Sequence, residues 1–123
     1  MSFGELEPSE PRRGEISSAA PHLAPQVTFE RGELDRIFGL YGRMVAEGEW
    51  RDYAIDFLKD RAVFSVFRRA SEFAVYRIEK SPRLSRRQGA YSVISATGLI
   101  LKRGHELERV LRVLDPSPRL VAG

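Results

Sequence analysis

Cysteine is absent from the 123-residue chain, which excludes disulfides, thiolate nucleophiles and cysteine-ligated zinc or iron–sulfur centres. Histidine is nearly as scarce, with His22 in a proline-rich stretch and His105 at the start of a helical pattern. A structural role is expected for His105, because "HELER" (105–109) lacks the second histidine of a helical zinc motif. No apolar run approaches the ~18 residues that a membrane span requires. The first residues carry neither the cationic nor the apolar segment of a secretory signal. A cytoplasmic protein without membrane contact is the expectation. A glycine-rich phosphate cradle is missing too, since "GLYGRMVAEGEW" (39–50) lies on and just after a helix instead of between strand and helix. Asp52 and Asp56 fall on one side of a predicted strand, about 13 Å apart, too far for a shared metal or a carboxylate pair. No metal or cofactor is implied, and the chain is expected not to be an enzyme.

Lysine is also rare, at 3 residues against 17 arginines. A GC-rich genome accounts for that ratio as readily as function does. It does not account for how the charge is distributed. Residues 1–25 carry a net −2, residues 26–60 a net −3 and residues 61–123 a net +8. Ten bases fall between residues 61 and 103, with Glu72 and Glu79 as the only acids. Such a segment attracts phosphate and gains from counterion release on a polyanion.

The periodicity divides the chain into one domain between two tails. Residues 1–25 hold Pro8, Pro11, Pro21 and Pro25 and few large apolar side chains, so a disordered tail is expected there. Residues 116–123 read the same way, which leaves 26–115 as the domain. Over 31–47, Leu34, Ile37, Phe38, Tyr41, Met44 and Val45 recur at helical spacing. Glu33 and Asp35 suit the first turn, and Gly48 sits where a left-handed cap belongs. Gly39 and Gly42 lie off that stripe and are expected simply to weaken the helix. From Trp50 the period becomes two, predicting strands near 52–58, 62–68 and 73–80, then a hairpin of 91–96 and 99–103 turning at Thr97–Gly98. Leu107, Val110, Leu111 and Leu114 predict a last helix over 105–114, stopped by Pro116. The fold class is α+β, an antiparallel meander of about five strands with an N-terminal and a C-terminal helix packed on one face.

Hairpin pairing that sets Leu58 opposite Ala62 and Arg68 opposite Phe73 assigns the faces. Tyr53, Ile55, Phe57, Val63, Phe67, Ala74, Tyr76 and Ile78 then form the core face. Ala54, Asp56, Leu58, Phe64, Val66, Phe73, Val75 and Arg77 form a second, mostly apolar face that two helices would leave bare. Cover from the C-terminal hairpin or from a second copy is expected, with Leu58, Phe64, Val66, Phe73 and Val75 as interface candidates and a homodimer as the assembly.

The basic segment supplies the other candidate surface. Arg68, Arg69, Arg77, Lys80, Arg83, Arg86, Arg87, Lys102 and Arg103 would follow a nucleic-acid backbone, with Arg83, Arg86 and Arg87 as the mobile part. Phe64, Phe73 and Tyr91 would be available to stack on bases. The competing readings are a solvated loop whose arginines pair with the acidic 47–60 segment, and a protein–protein adaptor that uses the apolar face and the charge split.

Four stretches are distinctive: "LYGRMVAEGEWRDYAIDFLKDRAVFSVFRRASE" (40–72), "YRIEK" (76–80), "QGAYSV" (88–93) and "GLILKRG" (98–104). Through them the chain resembles a family of short alphaproteobacterial proteins known only as a domain of unknown function, over roughly residues 27–115. Glu30 stands where that family would be expected to carry an aspartate cap. The resemblance implies an intracellular bacterial setting and brings no activity, cofactor or site residue.

Overall fold

The computed structural model describes residues 25–69 and 71–116. His22 and the two expected tails, apart from Pro25 and Pro116, lie outside the described residues. Helix α1, Arg31–Ala46, starts where the Glu33 carboxylate reaches back to accept the N–H of Glu30 at 2.7 Å. This is the return half of a capping box, and it satisfies a donor that the helix itself cannot. The helix stops at Gly48, whose φ of 79° turns the chain so that the N–H groups of Glu49 and Trp50 meet the carbonyl of Met44. Ile37, Leu40 and Met44 are its buried positions, while Val45 points to solvent.

Five antiparallel strands follow in chain order: β1 (Asp52–Phe57), β2 (Ala62–Phe67), β3 (Tyr76–Lys80), β4 (Tyr91–Ser95) and β5 (Ile100–Gly104). The last hairpin turns at Gly98, with a φ of 92°. Helix α2, Leu107–Leu111, buries Leu107, Val110 and Leu111. It is shorter than the apolar spacing predicts, because Arg112 to Leu114 continue as tighter turns that bond to the residue three positions back. Strand β3 likewise starts at Tyr76, three residues after the expected Phe73.

Both helices and one sheet face share a single core of Phe29, Ile37, Leu40, Met44, Trp50, Phe64, Val66, Ile78, Val93, Val110 and their neighbours. Each large apolar side chain fully buried there contributes about 1.5–3 kcal/mol. The fold is α+β, a five-stranded antiparallel meander covered by an N-terminal and a C-terminal helix.

The face assignment of β2 is corrected. Phe57 pairs with Ala62 and Val66 with Tyr76, one residue out of step with the expected pairing on both sides of that strand. The first hairpin closes with the Leu58 N–H on the Arg61 carbonyl, around a two-residue turn at Lys59–Asp60 instead of a three-residue loop. A slip of one residue exchanges the two faces of a strand. Two slips, one at each end of β2, exchange β2 alone and leave β1 and β3 as expected. Phe64 and Val66, expected as interface residues, are therefore completely buried under the helices, and Val63 and Phe67 point the other way. Val75 packs against the core, and only Leu58 and Phe73 of the five interface candidates are exposed. The face away from the helices carries Asp52, Ala54, Asp56, Val63, Ser65, Phe67, Arg77, Glu79, Ser92 and Ile94, by the alternation of paired residues, and of these Val63, Ser65, Ser92 and Ile94 are buried. It is a mixed surface, not an apolar one. The C-terminal hairpin extends the sheet sideways and does not cover it.

Candidate anion-binding surface

Residues 81–90 join β3 to β4, and their arginines sit on a built turn. Pro82–Leu84 form a single 3-10 turn, and the Leu84 carbonyl accepts N–H groups from Arg87, Gln88 and Gly89 at 3.0–3.2 Å. Ser81 closes the loop by donating its N–H to the carbonyl of Ala90 at 2.7 Å. Gly89 adopts a φ of 99° and lies so close to the backbone of Gly104, at the end of β5, that a Cβ would fall inside its carbonyl. Only glycine fits on both counts. The expected mobile loop is thus a compact turn seated on the last residue of the sheet.

That seat brings the loop to a groove between β5 and α2, of about 620 Å³, lined by Lys102, Arg103, His105, Arg109 and Arg112 above Val110 and Val113. Glu106 is its one acid, and it is engaged by Arg109 at 3.0 Å. Arg103 belongs to both features, since it lines the groove and its guanidinium donates to the Gln88 side chain in the loop. Arg86 and Arg87 are exposed and pair with no described acid. Where cations outnumber the acids beside them, the local potential rises and draws in anions.

The nine nucleic-acid candidates divide accordingly. Lys102 and Arg103 line the groove, Arg86 and Arg87 sit on the loop that Gly89 seats against Gly104, and Arg83 leans towards Asp60 at 3.8 Å, as the solvated-loop reading expects. Lys80 points to the helix side and is consumed there, donating to Glu33 at 2.9 Å and to the Thr28 carbonyl at 3.0 Å. Arg77 lies on the sheet face away from the helices and pairs with Glu79 at 3.4 Å. Arg68 and Arg69 follow β2 at the opposite end of the sheet, about 17 Å away by the usual strand rise. The aromatic expectation is corrected as well. Phe64 is buried, Tyr91 donates its hydroxyl to Glu33, and Phe73, although 76% exposed, stands near Arg68 and Arg69. The groove gains three residues that the sequence reading left aside: His105, Arg109 and Arg112. Their signal was present, because Arg109 and Arg112 occupy the polar side of the Leu107/Val110/Leu111 stripe, directly after Lys102, Arg103 and His105.

Lys80 belongs to a node that ties α1 to the sheet. The Glu33 carboxylate accepts from the Glu30 N–H, from Lys80 and from the Tyr91 hydroxyl. Burial alone would raise the pKa of Glu33, but the hydrogen bonds from Tyr91, Lys80 and Glu30 outweigh it and hold the carboxyl below its usual value. The Tyr91 hydroxyl is pushed well above the ordinary tyrosine range, first by burial and then by its bond to Glu33. Every oxygen of this cluster is occupied, which makes it a structural clamp. Among the described residues, no group of three or more histidine, aspartate or glutamate side chains could hold a metal ion. Nor is any helix among them long and apolar enough to cross a membrane.

These features define a small α+β protein built on a five-stranded antiparallel meander. The chain belongs to the family described as a protein of unknown function, DUF2794, whose model matches residues 27–111. No curated protein and no solved structure matches the chain.

Proposed function

We propose that this chain is a non-enzymatic cytoplasmic binding module whose basic surface contacts nucleic acid. The observation that supports it is the confluence at Arg103, where the arginine loop and the β5–α2 groove meet with Glu106 as the one acid. Four cations (Lys102, Arg103, Arg109 and Arg112) line the groove, and exposed Arg86 and Arg87 stand on the adjoining loop. A polyanion relieves their mutual repulsion and releases its own counterions in doing so. The test is titration of a labelled DNA oligomer at two salt concentrations, with Arg86→Glu and Arg87→Glu as the variant. Binding that weakens steeply with salt and is largely lost in the variant supports the reading. No binding, or binding indifferent to salt, overturns it.

A further inference from the structure

Resting on that reading, we infer that the polyanion is taken as a single strand, laid in the β5–α2 groove and continued over the arginine loop. The shape of the positive charge is the reason. Arg109 on α2 and Arg112 at its C-terminal cap are three residues apart, and both line a concavity with Lys102 and Arg103. Their cationic groups flank a channel and do not crown a ridge. A cleft of about 620 Å³ falls within the ~300–1,000 Å³ of sites that enclose small ligands, which suits a run of unpaired nucleotides. A duplex is a different object, with a major groove alone about 12 Å wide. To read it, α2 would have to protrude, yet its five residues span only about 7.5 Å. Three of those residues are turned into the core.

On the far flank of α2, Glu108 lines a second hollow with Asp35, Asp115, Arg36, Arg43 and Arg112, and Arg43 pairs with Asp115 at 2.8 Å, so charge is balanced there and the excess of cations lies on the groove side. Continuity into the loop through Arg103 and Gln88 indicates a ligand longer than one phosphate group. Exposed Val113 offers a base or sugar an apolar surface, and arginine guanidinium planes stack on bases in the absence of an aromatic.

The experiment uses the full chain at low salt, with fluorescence anisotropy of a labelled oligo-dT and of a duplex of the same length, roughly 12 nucleotides. The expected result is at least about ten-fold tighter binding of the single strand. The Arg109→Ala/Arg112→Ala variant should lose that preference. Its log–log salt slope on the single strand should also become shallower by about 1.4, at ~0.7 per phosphate contact. Both residues are exposed, and a melting curve confirms that the variant folds. Equal or tighter binding of the duplex overturns the inference and leaves the nucleic-acid reading standing. A preference that survives in the variant also overturns it, because the strand would then lie elsewhere. Failure of both probes to bind overturns inference and reading together.

Discussion

Lys80 and Arg86 lie in one cationic run of the sequence, yet the fold puts them to opposite uses. Lys80 has a side chain only 14% exposed and holds Glu33 and the Thr28 carbonyl, fixing the start of α1 against β3. Arg86 stands free in water on a turn whose own backbone satisfies itself. Nothing in the residue types separates the two. What separates them is the neighbour each one meets, and for Lys80 that neighbour is 47 residues away in sequence. A run of positive charge is therefore a sum of structural and available cations, and only the second kind can attract a ligand.

The most severe way to break the comparison is to unseat the loop that carries the available cations. Gly89→Ala forces a side chain into the Gly104 carbonyl at a φ of 99°, a conformation that L residues avoid. A loss of about 3 kcal/mol or more is expected. Urea denaturation checks it as a lower midpoint with an unchanged slope. The loss should be accompanied by weaker oligomer binding even where the variant remains folded, since the arginines and the groove are joined there.

Next in size is the exchange of roles. Lys80→Met strands a mostly buried carboxylate and a backbone carbonyl, and should cost about 2 kcal/mol. Oligonucleotide affinity of the folded variant should stay unchanged. Arg86→Ala with Arg87→Ala should do the reverse, altering stability by less than about 0.5 kcal/mol while weakening binding. Thermal melts and anisotropy titrations on the same two preparations give both readings. A Lys80 variant that loses affinity without losing stability would erase the distinction.

How much of this was legible in the sequence follows from which contacts are local. The alternating patterns place the five strands, Gly48 marks the end of α1 and Gly98 the last hairpin turn, because those signals sit within a few residues. Strand β2, "AVFSVF", is apolar on both parities, so the sequence leaves its register to turn length alone, and Lys59–Asp60 form a two-residue turn where three residues are expected. Ser65 was the one polar hint that the odd positions face outward. The clamp of Glu33, Lys80 and Tyr91 was invisible, since it joins three separated segments. The groove was half legible. Lys102 and Arg103 stood out as cations, but Arg109 and Arg112 mattered only once α2 was seen to pack beside β5.

A smaller effect distinguishes the clamp from the free arginines by pH. Glu33 has its folded-state pKa lowered, so its contribution is complete above the ordinary glutamate value of 4.5 and fades as pH falls through the folded value. Tyr91 has its pKa raised from 10.0, so its contribution is complete below that value and fades as pH rises above it. Stability should decline on both the acid and the alkaline side, and Glu33→Gln should flatten the acid limb. Arg86→Ala with Arg87→Ala should leave both limbs as they are. Denaturant midpoints measured from pH 3 to 11 decide it, and an acid limb untouched by Glu33→Gln would move the titrating group elsewhere.

The smallest change concerns a position that belongs to neither region. Gly42 lies within α1, and a Cβ there meets nothing within 4 Å. Gly42→Ala removes conformational freedom from the unfolded chain at a site where the helix accepts a side chain, and should raise stability by about 0.5–1 kcal/mol. Because Gly42 lines neither the β5–α2 groove nor the hollow beside Glu108, oligonucleotide affinity should not change. The pairing of the two measurements is the point. A gain in melting temperature at constant affinity shows that stability and binding are carried by separate surfaces, as Lys80 and Arg86 suggest. An affinity that moved with stability would mean that the ligand senses the rigidity of the whole domain, and the free cations would then be only part of its site.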